Sequence, residues 1–121
     1  MVKEKYTKTE IKKIIRGLVN SLSENKIVVE NIILYGSYAK GNPRQHSDID
    51  IAVISPSFKG RRIIDIQSDF AKASSKYLAI VEPVGYSTED YESAKMGSLL
   101  GEIKKSGKIL YSKTKYTGRG M

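Results

Sequence analysis

Gly36 and Ser37 are followed, after ten residues (38–47), by Asp48-Ile49-Asp50. In an extended backbone the two aspartates, at i and i+2, leave one face of the strand about 6–7 Å apart. Ile49, Ile51 and Val53 then point the other way, into a core. Two carboxylates at that separation suit hard divalent cations, which take oxygen ligands and bridge phosphates. Gly36 carries no side chain, so backbone amides opening a helix there can approach a phosphate closely, and Ser37 adds a hydroxyl donor. The combination reads as phosphoryl or nucleotidyl transfer. Either half alone says less: Gly-Ser punctuates many turns, and an acidic pair also fits the solvated face of a strand.

These residues need a scaffold, and its outline is legible. Thr7-x-x-Glu10 matches a capping box, and Ile11, Ile14, Ile15, Leu18, Val19 and Leu22 follow at helical spacing, predicting a helix over 7–24. Residues 27–35 are rich in β-branched types, and 32–35 is continuously apolar, as in a buried strand. A short helix starts at 36–39, and Gly41-Asn42-Pro43 ends it. A second strand over 48–54 stops before Pro56. Ile63, Ile66, Phe70, Ala73 and Tyr77 mark one face of a second long helix over 61–77.

A third strand is predicted over 79–84, at an edge or ending there because Pro83 has no N–H to donate. Ser87-x-x-Asp90 caps a further helix or helix pair through Tyr91, Leu99, Leu100 and Ile103. Lys104-Lys105-Ser106-Gly107 is a stop signal, with cations at the negative end of the helix dipole. Ile109-Leu110-Tyr111 adds a short strand. The predicted class is α/β, a small mixed sheet with helices packed on it. One domain is expected over 1–112, followed by a basic, disordered tail over 113–121.

The composition narrows the setting. At 121 residues the chain suits one domain, and 21 basic against 13 acidic residues leave a net charge of +8, a lean toward anionic partners. Six of the 21 cations fall between Lys3 and Arg16 and six between Lys104 and Arg119. Lysines solvating helix faces account for much of this. There is no cysteine, hence no disulfide or thiolate metal site. No apolar run approaches the roughly 20 residues of a membrane span, and the polar first ten residues do not read as a secretory leader. A cytoplasmic protein is the expectation.

Gly36-Ser37, the continuation Tyr38-Ala39-Lys40-Gly41, and Ser47-Asp48-Ile49-Asp50-Ile51 together resemble the DNA polymerase beta-like nucleotidyltransferase superfamily, in its minimal nucleotidyltransferase branch. The resemblance extends over about 7–111. It implies that Asp48 and Asp50 bind Mg²⁺, two ions in all, and that Gly36 and Ser37 touch the β- and γ-phosphates of ATP or another NTP. A third carboxylate is implied from a later strand. Glu82 is the one acid in the predicted third strand, where the family more often has aspartate. Its role would be to share a metal and act as general base on an acceptor hydroxyl; a solvated strand-end glutamate is the other reading. The extra methylene shifts the carboxylate by about a bond length, and a misplacement near 1 Å can cost of order 10²-fold in rate.

Lys40 and Arg44 lie beside the phosphate loop and could neutralise a triphosphate or its leaving pyrophosphate, although solvated surface cations are the norm. His46, the single histidine, lacks a His or Cys partner and suits an exposed loop. Arg61 and Arg62 open a helix, an unfavourable end for cations, which suggests either nucleotide contact or a basic surface. Asp65 and Asp69 sit a turn apart, on what reads as a solvated face. The eight tyrosines show no basic-aromatic interleaving, so no stacking platform for single-stranded nucleic acid is indicated.

The reading is a Mg²⁺-dependent nucleotidyltransferase moving NMP, most simply AMP from ATP, onto an acceptor hydroxyl. The resemblance further implies a helical HEPN-type ribonuclease partner, for which such small proteins serve as antitoxin. The alternative is a degenerate nucleotide-binding module that inhibits its partner by occlusion. A nucleic-acid-modifying subunit is a third option, resting on the basic tail alone.

Overall fold

The structure, a computed structural model, describes residues 5–43, 47–77 and 80–113. The first helix, α1 (Lys8–Glu24), begins where the capping box places it: the Thr7 side chain accepts from the Glu10 amide at 3.1 Å, and Glu10 Oε1 accepts from the Thr7 amide at 2.8 Å. Ile11, Ile15, Leu18, Val19 and Leu22 form its buried face. After α1 the chain turns through Lys26, which holds a positive φ of 65°. The first strand, β1 (Asn31–Tyr35), is shorter than the predicted 27–35. Ile27 and Val29 are buried, but residues 27–30 reach the sheet through isolated bonds, such as the Glu30 amide to the Ile54 carbonyl at 2.8 Å.

The one-turn helix α2 (Ser37–Lys40) ends at Gly41 in the left-handed conformation, and β2 (Ile49–Ile54) follows. After β2 a short 3-10 turn opens at Pro56, and α3 (Ile63–Ala73) returns the chain to β3 (Val81–Tyr86). Helices α4 (Thr88–Glu92) and α5 (Leu99–Ser106) lead to β4 (Lys108–Ser112). The strands form one four-stranded sheet in the order β3-β2-β1-β4. β1 is antiparallel to β2 and β4, while β2 and β3 are parallel, so the sheet is mixed as predicted. Pro83 sits on the edge strand β3, yet that strand continues past it to Tyr86. Its missing N–H costs nothing on the side that has no neighbour.

Both faces of β2 are covered, and this departs from the one-sided burial that Ile49, Ile51 and Val53 suggest. Those three pack with Ile32, Leu34 and Val81 beneath α1 and α3. On the opposite face Ala52 and Ile54 are fully buried against Leu100 and Ile103 of α5. The aspartate-bearing face is therefore apolar along most of its length and polar at one end. α3 is shorter than the predicted 61–77, since the helix stops at Ser74, whose hydroxyl donates to the Phe70 carbonyl at 2.6 Å. Ile66 and Phe70 are buried, but Ile63 is 78% exposed. It lies in the first turn of α3, where the helix reaches the sheet edge beside Val84 and Tyr86 and no further layer exists to cover it. The predicted tail over 113–121, apart from Lys113, lies outside the described residues.

Candidate active site

Register across three strands builds the site. Tyr35 of β1 opposes Asp50 of β2, and Asp50 lies beside Glu82 of β3. The next same-face row is Ile33, Ala52 and Val84, which disappears under α5. A polar row at the open end of the sheet is thus fixed to an apolar floor. Asp48 precedes β2 by one residue and is exposed; Asp50 is half-buried and Glu82 exposed.

The Gly36 turn joins this row from above. Gly36 has φ 75° and ψ −153°, a region essentially reserved for glycine. A Cβ placed there would collide with Asp50 Oδ2 and lie 3.2 Å from its Cγ. Gly-Ser and the second aspartate therefore face one another at contact distance. Ser37 begins α2, and Gly36 as N-cap supplies no side-chain acceptor, so the first amides of the turn have no intrahelical partner. α2 is a single turn, so a ligand would be held by those local amides and the hydroxyl rather than by a long helix's dipole.

Electrostatics mark Asp50 as the strained member. Its pKa is raised from 3.8 to about 6, chiefly by burial and then by the charge of Glu82, a hydrogen bond with Glu82, and the charge of Asp48. The Tyr35 hydroxyl is pushed up to about 12 by burial, with Asp50, Tyr86 and Glu82 adding to it. The Tyr86 hydroxyl is also raised, by burial. Burial is the first cause at all three groups, and at Asp50 and Tyr35 neighbouring acidic groups add to it.

Among the described residues, no group of three or more acids or histidines is gathered closely enough to hold a metal ion by itself. Asp50 and Glu82 are adjacent, and Asp48 is near enough for Asp50 to feel its charge. The donor set still fits Mg²⁺, which is hard and is commonly bound by one or two carboxylates plus substrate phosphates rather than by an all-protein cage. A cation there would favour the ionised Asp50 that burial, Glu82 and Asp48 disfavour.

The other candidates divide. Lys40 is exposed at the far end of α2 and forms no ion pair among the described residues. Arg44 and His46 lie outside the described residues. Arg61 pairs with Asp69 at 2.5 Å and Arg62 with Asp65 at 3.0 Å, so these arginines, just ahead of α3, neutralise acids on that helix. Two contributors escape a reading of the sequence. Tyr35 becomes a neighbour of Asp50 only through strand register. Tyr38 is buried, and its hydroxyl accepts from the Tyr6 amide at 3.0 Å, pinning the Gly-Ser turn to the start of α1. An aromatic residue directly after Gly-Ser was the available signal.

A mixed sheet whose antiparallel first pair carries a Gly-Ser turn against an Asp-x-Asp strand defines a nucleotidyltransferase. The chain belongs to the family described as Polymerase beta, Nucleotidyltransferase, which matches residues 17–116. It is 29% identical to a putative protein adenylyltransferase of Methanocaldococcus jannaschii over 105 residues, covering 82% of this chain and 96% of that protein. A toxin–antitoxin crystal structure with AMP-PNP superposes with a TM-score of 0.57 at 26% identity, covering 89% of this chain and 78% of that one. The crystal structure of a putative nucleotidyltransferase from Sulfolobus solfataricus shares the fold, with a TM-score of 0.57 at 18% identity over 87% of this chain and 79% of that one. No helix among the described residues is long and apolar enough to cross a membrane.

Proposed function

We propose that this nucleotidyltransferase transfers AMP from ATP, with Mg²⁺, onto a hydroxyl of a partner protein, and that the partner is a HEPN-type toxin held in check as a result. The observation that carries the reading is the contact between the Gly36 turn and Asp50, with Glu82 alongside. Its support also includes the adenylyltransferase named among the relatives and the toxin–antitoxin structure with an ATP analogue.

In this mechanism the amides opening α2 and the Ser37 hydroxyl hold the outer phosphates, and the absent side chain of Gly36 leaves room beside Asp50. Asp48 and Asp50 hold Mg²⁺, which when bound supplies Lewis-acid neutralisation of the charge developing on the transferred phosphoryl group. Glu82, beside Asp50 on the neighbouring strand, takes the proton from the attacking hydroxyl. The apolar floor of Ile33, Ala52 and Val84 excludes water from below and holds the polar row in place.

A second reading is favoured by the openness of the carboxylate set and by glutamate at position 82: a nucleotide-binding module that inhibits by occlusion. One experiment separates the two. The protein is incubated with Mg²⁺, α-labelled NTPs and a HEPN-type protein encoded beside it. Covalent label on the partner, lost in Asp48→Asn and Glu82→Gln, is the expected result. Saturable ATP binding without transfer to any acceptor would leave only the occluding module.

A further inference from the structure

Three cavities of about 380, 430 and 230 Å³ follow one another between α1 and β4, the first of them also reaching Tyr38 and Gly41 at α2. The first and second share Lys12 and Leu110, and the second and third share Ser23 and Tyr111, so they form one continuous trough. Their linings advance together along both elements, which means that α1 and β4 run side by side in the same direction. Lys8, Lys12, Arg16, Lys26, Lys108 and Lys113 line the trough, and among the described residues no aspartate or glutamate does. Lys8, Lys12 and Arg16 are spaced four residues apart, a step of about 6 Å along a helix. Among the described residues β4 is the edge strand of the sheet and pairs with β1 alone.

We propose that this trough receives an acidic, extended segment of a partner protein, laid against β4 as an added strand. Alternate side chains of a strand recur every 6.5–7 Å or so, close to the cation step on α1, and main-chain bonding to an open edge supplies the remaining grip. The floor is aliphatic, with Ile15, Val19 and Leu110, which suits the other face of an alternating strand better than it suits stacked bases. Residues 114–121 of this chain are no match for the trough, since they contain Lys115 and Arg119 and no acid. Asp48, Asp50 and Glu82 do not line the trough, and peptide binding is measured without nucleotide, so the test does not depend on nucleotidyl transfer.

Fluorescence anisotropy of the full chain with a labelled alternating Glu-Val peptide provides the test. Binding is expected to weaken with added salt and to fall about tenfold or more in Lys12→Glu/Arg16→Glu, whose side chains are exposed and whose melting temperature should stay that of the parent. Prolines at two adjacent central positions of the peptide should weaken binding about tenfold, since one of the two must remove a ladder donor whichever way the strand faces. Equal affinity for the proline peptide overturns strand addition. Absence of any peptide binding, or tighter binding of a single-stranded RNA of matching length at about 0.15 M salt, overturns the proposed occupant.

Discussion

Gly36 and Asp50 are in contact: the place a Cβ would occupy on Gly36 is already filled by an oxygen of the Asp50 carboxylate. Residue 36 also adopts φ 75° and ψ −153°, so alanine there meets both backbone strain and a collision with Asp50. Strain of this kind costs about 1–3 kcal/mol. Gly36→Ala should lower the melting temperature and, by displacing Asp50 by an ångström or so, reduce nucleotidyl transfer about 10²-fold. Transfer at the parental rate in a folded Gly36→Ala protein would show that the turn plays no part in the chemistry.

Asp50 sets a pH dependence whose sign can be worked out. Its folded pKa, about 6, lies above its ordinary 3.8. The folded state therefore binds this proton more tightly than the unfolded state between those values, and stability falls as pH rises through that window. Asp50→Asn removes the charge, so at pH 7 without metal it should be the more stable protein. The gain should be of order 1 kcal/mol once solvent screening of a part-exposed group is allowed for. Urea melts of both proteins should show the gap at pH 7 and its closure near pH 4. A gap independent of pH would assign the difference to something other than this carboxyl.

Added Mg²⁺ should reverse that order. A cation at Asp48 and Asp50 compensates the charge that burial and Glu82 make costly, so ATP with Mg²⁺ should raise the melting temperature of the parent and leave Asp50→Asn nearly unmoved. Because protons compete for the same carboxylate, the shift should shrink as pH falls below about 6. A shift of equal size in both proteins, followed by thermal melting, would place the ion elsewhere.

Gly85 tests the opposite face. A Cβ on Gly85 would lie 2.5 Å from Ile66 Cγ2 and 2.9 Å from Phe58 Cε2, so α3 seats on β3 only because residue 85 has no side chain. Phe58 and Phe70 meet edge to face beneath it, with centroids 5.6 Å apart. Gly85→Ala should cost about 1–3 kcal/mol through overpacking, read as a lower denaturant midpoint. The polar row on the other face should keep its nucleotide affinity.

Lys104 ties the two helices that cover the site's floor. Its Nζ donates to the carbonyls of Tyr91 and Glu92 at 3.1 and 3.2 Å, satisfying the end of α4 from within α5, and it sits 5.2 Å from the Tyr91 ring centroid. Lys104→Met should lose about 1 kcal/mol. The loss should appear as faster amide exchange in α4, leaving α1 unaffected.

The elements were legible wherever a local rule governs. The capping box at Thr7, the apolar stripe of α1, the glycine that ends α2 and the edge position of Pro83 all follow from interactions within a few residues. Helix limits were less so: α3 was expected to run to Tyr77 but ends where the Ser74 hydroxyl caps the Phe70 carbonyl. Ile63 has the spacing of a core residue and is exposed, because spacing cannot tell that the sheet ends beneath it. Asp48, Asp50, Gly36 and Ser37 could be named from their pattern. Tyr35 and Tyr38 could not, since their parts depend on which residue stands opposite in a neighbouring strand or helix.

The order of residues by itself determined which groups carry charge, where the backbone can turn and which stripes are apolar, since these are properties of side chains and their near neighbours. Tertiary structure alone decided that Tyr35, Asp50 and Glu82 share one row and that Gly36 abuts the middle of it. It also decided that α5 buries the far end of the aspartate face. A shift of one residue in either strand pairing would send Asp50 to the opposite side from its partners, and such a register is set by the packing of both sheet faces together.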